Sequence, residues 1–216
     1  LADAGFEVHG IDIEDQPEYP YPTRFTRGSA LAVDVEYLQT FDLIWASPPC
    51  QKFTAYKRRP GHVLPRLNFI PATRELLKKA GAPYIIENVT GARAELSPDA
   101  VTLCGSMFGL DVRRHRLFEC SWPIHKSERP KCRHALQKPG RFPGATNRAP
   151  NSRATVEVGV WRIPLDVQRK AMGIDWMSLE KLSQAIPPAY SEWLGKSALA
   201  YIQRTSTEQQ VAGRVT

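Results

Sequence analysis

The apolar run Phe41-Asp-Leu-Ile-Trp-Ala46 stops at Pro48-Pro49. Proline has no amide hydrogen, so a strand ladder cannot continue through the pair. The run reads as a short buried strand with a rigid turn at its carboxyl end. Two other runs behave alike. Phe6-Glu-Val-His-Gly-Ile-Asp-Ile13 alternates and is β-branched, so it predicts a strand ending near Asp12. Tyr84-Ile85-Ile86 predicts a buried strand ending at Glu87. Val101 to Cys104 and His115 to Glu119 are further strand candidates.

Helical patterns lie between these runs. Leu67, Ile70, Leu76 and Leu77 carry helical spacing, with Lys78-Lys79 in the last turn and Gly81 as the stop. Ala2 to Gly5 resembles a helix tail with a glycine stop. Ile163 to Met172 and Ser191 to Gln203 also read as helices. Strands alternating with helices predict an α/β fold: a mostly parallel sheet with helices on both faces. A chain of 216 residues suits one such domain, or one with an insertion.

Composition excludes several classes. Hydrophobic residues at 42% and charged residues at 24% are globular values, which rules out wholesale disorder. No apolar run nears the roughly 20 residues that span a bilayer, so no membrane partner is expected. Four cysteines are too few for a disulfide scaffold in a chain this long, so reduced thiols and a cytoplasmic setting are the expectation. Residue 1 is Leu, so a fragment or a processed product is expected.

The net charge is +7, and its location matters more than its size. Residues 121–155 hold Lys126, Arg129, Lys131, Arg133, Lys138, Arg141, Arg148 and Arg153 against the single acid Glu128. The rest of the chain is neutral. The same segment holds five of the 18 prolines. It reads as a basic, loop-rich insert, dividing the chain into 1–120 plus 156–216 and the insert 121–155. A polyanion contact and a merely solvated basic loop both fit the charge.

Ligands in open α/β sheets gather at the carboxyl ends of strands. Asp12, Pro48-Pro49-Cys50-Gln51 and Glu87-Asn88 fall there. An acid at a strand end accepts from ribose hydroxyls or caps a helix. A cysteine on a rigid turn is a nucleophile or a small apolar side chain, and a nucleophile needs nearby positive charge to form its thiolate. A glutamate ending a buried strand can hold a proton to higher pH and donate it.

These residues match a family. The chain resembles the cytosine-C5 DNA methyltransferases, of the compact phage and prophage type. Pro48-Pro-Cys-Gln51 resembles the nucleophile motif, Glu87-Asn88-Val89 the Glu-Asn-Val motif, and Arg114-x-Arg116 the Arg-x-Arg motif. Leu103 to Leu110 is similar to the segment before the last of these, and Ser183 to Pro188 to a variant of the final block. Order and spacing hold over nearly all of the chain. The resemblance implies a Rossmann-like S-adenosylmethionine-dependent fold, with Cys50, Glu87, Arg114 and Arg116 catalytic. It implies Asp12, Ile13, Ser29, Pro48 and Gln184 at the cofactor. It implies double-stranded DNA as partner of a monomeric enzyme, met by Gln51, Thr54, Lys57, Arg58, Arg133, Arg141 and Arg148, with 121–155 as the target-recognition region. No metal is assigned. Zinc at Cys120, His125, Cys132 and His134 stays open, although their spacing fits no common zinc motif.

The sequence departs from the pattern. The family opens with a strand and an Asp-x-Phe-x-Gly-x-Gly-Gly-type loop, whereas residues 1–5 resemble the helix tail that follows it. Lacking that strand, the 216 residues are expected to bind S-adenosylmethionine weakly or not at all. Ser29, Val112 and Gln184 stand where Asp, Gln and Asn are usual. Two alternatives follow: a non-catalytic DNA-binding remnant, and a tRNA cytosine-C5 methyltransferase on the same fold.

Overall fold

The computed structural model describes residues 1–54, 67–133, 137–139 and 153–212. In chain order the elements are β1 (Gly10–Asp12), β2 (Phe25–Arg27), α1 (Val35–Leu38), β3 (Ile44–Ala46), α2 (Ile70–Ala80), β4 (Tyr84–Val89), β5 (Val101–Leu103), β6 (Arg116–Cys120), β7 (Gln137–Pro139), β8 (Arg153–Thr155), α3 (Leu165–Met172), α4 (Leu179–Gln184) and α5 (Pro188–Ala212). Short 3-10 turns join several of them, the first at Ala2–Ala4, closed by Gly5.

The fold is α/β, with helices on both faces of its main sheet. That sheet has the order β3-β4-β6-β5. β3 runs parallel to β4, whereas β6 is antiparallel to both β4 and β5. Alternation along the strands divides the core. Ile85 and Phe118 face α5, joining Tyr190, Leu194 and Ala198. Ile86 and Leu117 face α2, joining Ile70 and Leu77. A third cluster joins α3 and α4 through Ala171, Met172 and Leu182.

β1 and β2 pair in parallel as a separate sheet. Among the described residues no ladder links β1 to β3; His9 and Phe41 meet edge-on, 5.4 Å between centroids. β7 and β8, inside the basic segment, form a third, two-stranded parallel sheet.

The expected helices formed, α2 closed by Gly81 and α5 beginning at Pro188. The expected end of the Tyr84 strand moves. Ladder pairing with β6 continues through Asn88 to Val89, so Glu87 lies inside β4 rather than at its end. β1 and β3 are shorter than their apolar runs, three residues each. α4 carries no strong periodicity and was not foreseen; it is held by burial of Leu182. No helix among the described residues is long and apolar enough to cross a membrane.

An ion pair fastens α2 to the sheet. Arg74 Nε and Nη2 each reach one Glu119 carboxylate oxygen at 2.7 Å, and Ser97 N–H donates to the same carboxylate at 2.8 Å. Burial alone would push Glu119 up, but the bonds from Arg74 and Ser97 outweigh it and hold the carboxyl below its ordinary range.

Candidate active site

Cys50 ends the Pro-Pro turn after β3. Its carbonyl accepts the Phe53 N–H at 2.8 Å, which closes a turn over Gln51 and Lys52. Two contacts fix that turn to β4. Buried Asn88 donates through Nδ2 to the Pro48 carbonyl at 2.9 Å. Phe53 lies on the chain just after β4, where a Cβ at Gly91 would stand 2.2 Å from the Phe53 carbonyl oxygen. Only glycine lets the two backbones come so close. Cys50 itself is a half-buried free thiol.

Glu87 sits on the neighbouring strand and is 8% exposed. Arg116 opens β6, the next strand, with its Nε 3.2 Å from Glu87 Oε1. Strand alternation points both side chains to the α5 face, as it does Ile85 and Phe118. Arg114 donates through Nη2 to the Ser183 carbonyl, and Tyr190 Oη donates to the Arg114 carbonyl at 2.7 Å. The end of α4 and the start of α5 thus hold the strand lead-in that carries both arginines. The four predicted catalytic residues converge on one rim.

The electrostatics separate their roles. Burial pushes the Glu87 carboxyl up, against the pull of Arg116, a hydrogen bond with Ser47, and Arg114. Burial also pushes the Cys50 thiol up, and the charge of Glu87 adds to it; Arg116 and Arg114 pull it back without prevailing. The positive charge near Cys50 therefore does not by itself make a thiolate, contrary to the expectation for a nucleophile. Burial, then the charge of Arg116, brings Arg114 down to about 10.

The predicted cofactor residues divide between two places. Asp12 ends β1, and its carboxylate accepts from Glu14 N at 2.9 Å and Gln16 Nε2 at 3.2 Å. Ile13 beside it is 66% exposed, and Ser29 is exposed after β2. Pro48 is buried at the Cys50 turn, and Gln184 is exposed at the end of α4, next to the Ser183 that receives Arg114.

Of the predicted nucleic-acid residues, Gln51 is exposed and Thr54 donates through Oγ1 to its carbonyl at 3.3 Å. Arg133 is exposed, with its N–H on Ser106 Oγ at 3.2 Å. Lys57, Arg58, Arg141 and Arg148 lie outside the described residues. The exit of the basic segment reaches the rim: Thr155 and Glu157 line one cleft with Thr90, Arg114 and Arg116.

Among the described residues, Cys120, His125 and Cys132, three of the four left open for zinc, form no common ligand group. Cys120 lies on β6, opposite Ile85, where burial pushes its thiol up to about 12. His125 is exposed in the basic segment, and His134 lies outside the described residues. Cys132 is grouped instead with Cys104 and His115.

Sequence reading missed Ser47, Gly91 and Tyr190 at this site. The first two carry no signal of their own, since their role is set by what the fold brings beside them. Tyr190 has a weak one, an aromatic residue directly after the Pro-Pro that opens α5.

No family model and no curated protein matches the sequence. Among solved structures, a variant of DNMT2 from Spodoptera frugiperda is similar, with 19% identity and a TM-score of 0.41. The likeness covers 73% of this chain and 53% of that one, so the chain spans about half the length of that protein.

Proposed function

We propose that the chain is a cytosine-C5 methyltransferase acting on double-stranded DNA. One observation carries the reading: Cys50 on the turn after β3 stands at one rim with Glu87 and Arg116 of the neighbouring strands β4 and β6, Arg116 being paired to Glu87 at 3.2 Å.

Cytosine C5 is a weak nucleophile. Bonding of the Cys50 sulfur to C6 pushes the C5–C6 electron pair toward C5, which would then attack an electrophilic methyl carbon as the bond to its leaving group breaks. Glu87 offers a proton or hydrogen bond to N3, drawing electron density into the ring. Its buried, raised carboxyl suits that task. Arg116 orients Glu87 and faces the charge that grows on the ring. Loss of the C5 proton to water and elimination of Cys50 as thiolate restore the C5–C6 double bond, and the thiolate regains its proton from solvent. C6 is inaccessible in a duplex, so the base must first flip out, at a cost of a few kcal/mol.

S-adenosylmethionine supplies an electrophilic methyl when bound. The residues present fit its adenosine half. Asp12 uses two of its acceptor positions locally and keeps others for ribose hydroxyls. The exposed Ile13 offers an apolar shelf for a base, and Ser29 offers a hydroxyl. The excess positive charge in 121–155, which begins at the end of β6, supports a polyanionic substrate.

The test is methyl transfer to cytosine-containing duplex DNA and to tRNA in parallel, with Cys50→Ser as control. With S-adenosylmethionine in large excess, to offset the weak binding expected of these residues, the expected result is transfer to DNA, a covalent complex with a 5-fluorocytosine duplex, and loss of both in Cys50→Ser. Transfer to tRNA alone overturns the DNA assignment. Salt-dependent DNA binding with neither transfer nor complex makes the chain a non-catalytic DNA-binding protein.

A further inference from the structure

Three side chains from separate segments meet beside the rim. Cys104 follows β5, His115 lies between Arg114 and Arg116 at the start of β6, and Cys132 belongs to the basic segment. Their ligand atoms all lie within 4.8 Å of one another. Sγ of Cys132 is 3.7 Å from Nε2 of His115. We propose that Cys104, His115 and Cys132 bind a zinc ion that staples the basic segment to the strand carrying the site arginines.

Geometry and chemistry both fit. Zn–S bonds of about 2.3 Å and Zn–N bonds of about 2.0 Å, at tetrahedral angles, set sulfur and nitrogen about 3.6 Å apart and two sulfurs about 3.8 Å apart. The 3.7 Å separation of Cys132 and His115 is already there, and the 4.8 Å limit leaves at most about 1.2 Å of contraction for the other pairs. Two thiolates and an imidazole are a soft donor set that favours zinc over magnesium or calcium. Two thiolates also neutralise the ion's charge, so the metal adds nothing to an already basic surface. A fourth position remains for water or another group.

The surroundings preorganise the set. A Cβ at Gly105 would stand 2.3 Å from the Val112 carbonyl oxygen, so the turn that carries Cys104 presses on the lead-in to His115. Ser106 Oγ lies 3.3 Å from Cys104 Sγ and accepts the N–H of Arg133 at 3.2 Å, which places the residue after Cys132 on the same turn. These contacts act as outer-shell supports for the ligands. The burial gradient, with Cys104 buried, His115 half-buried and Cys132 exposed, leaves an entry path from solvent. The proposal stands whether or not the chain transfers methyl groups.

The experiment is metal analysis of the full chain, purified without chelator, alongside titration with cobalt(II). The expected result is about one zinc per chain, and thiolate-to-cobalt charge-transfer absorption in the cobalt form. Cys132→Ser, a change at an exposed position, should weaken metal binding by at least about ten-fold. Cys120→Ser should bind metal as the parent does. A chain that takes up neither zinc nor cobalt overturns the proposal. So does a Cys132→Ser variant with parental affinity, or a Cys120→Ser variant that loses the metal. A metal-free chain with Cys104 and Cys132 joined in a disulfide, read by mass spectrometry of the unreduced protein, overturns it as well.

Discussion

The Nε of Arg116 lies 3.2 Å from the Oε1 of Glu87, a carboxylate that is 8% exposed. The pair joins β6 to β4 on the face that Cys50 adjoins, and it sets the charge that the thiol feels. Burial pushes the Cys50 thiol up most, Glu87 adds to it, and Arg116 opposes it.

Cys50 alkylation reads this balance without any assay of activity. Glu87→Gln keeps the shape and removes the negative charge, so the pH midpoint for iodoacetamide labelling of Cys50 should fall. Arg116→Gln removes an opposing positive charge, so the midpoint should rise. Peptide mass spectrometry separates Cys50 from the other three cysteines. Midpoints that stay put in both variants would show that the three groups are not coupled.

Catalysis should follow Glu87 protonation. Glu87→Gln is expected to lower methyl transfer by about 10²–10⁴-fold, the usual worth of general acid catalysis. Burial raises the carboxyl, so the alkaline limb of the pH–rate profile that it governs should lie above the ordinary carboxylate range. Arg116 favours the ionised form, so its replacement by Gln should shift that limb to still higher pH. An unchanged limb in Arg116→Gln would separate Glu87 from the proton transfer.

The Arg74–Glu119 pair should govern acid stability. Its carboxyl is held below the ordinary range, so its stabilisation is full above about pH 4.3 and lost as pH falls through the depressed value. Arg74→Met leaves a carboxylate that is 4% exposed without its partner, and should cost about 3 kcal/mol near neutral pH. Urea unfolding across a pH series measures both effects. Glu119→Gln should flatten the acid limb.

Gly91→Ala should disturb the Cys50 turn from the 3-10 turn that follows β4. The added methyl meets a backbone oxygen 2.2 Å away, which cannot rotate aside. A destabilisation of about 1–3 kcal/mol is expected, as for overpacking, together with faster proteolysis near Phe53. An alanine variant with parental melting temperature and activity would contradict the close packing.

DNA binding should be steeply salt dependent. If Arg133 meets a phosphate, Arg133→Ala should reduce the slope of log K against log salt by about 0.9 and weaken binding alike on all sequences. A variant that changes sequence preference at one base pair instead would make Arg133 a base reader.

Much of the fold was legible because it is written in local pattern. Apolar runs stopped by Pro48-Pro49 and Gly81 located β3 and α2. The chemistry-bearing residues stood out because Cys50 follows a Pro-Pro turn and Glu87 is an acid adjoining a buried apolar run. Register was not legible. That β6 runs antiparallel, and that β4 extends past Glu87 to Val89, depends on pairing between segments some 30 residues apart. The grouping of Cys132 was not legible for the same reason: spacing along the chain sets it beside Cys120, whereas the fold brings it to Cys104 and His115.

By itself the sequence determined the α/β order, the Pro-Pro-Cys turn, and the concentration of positive charge in 121–155. Each is a property of neighbours on the chain, where proline chemistry, side-chain period and charge act directly. The tertiary structure alone decided the protonation balance at the rim. Burial raises Glu87 and Cys50 together, and only the approach of Arg116 across the sheet opposes it. Desolvation and Coulomb energy depend on distance in space, which a list of residues does not contain.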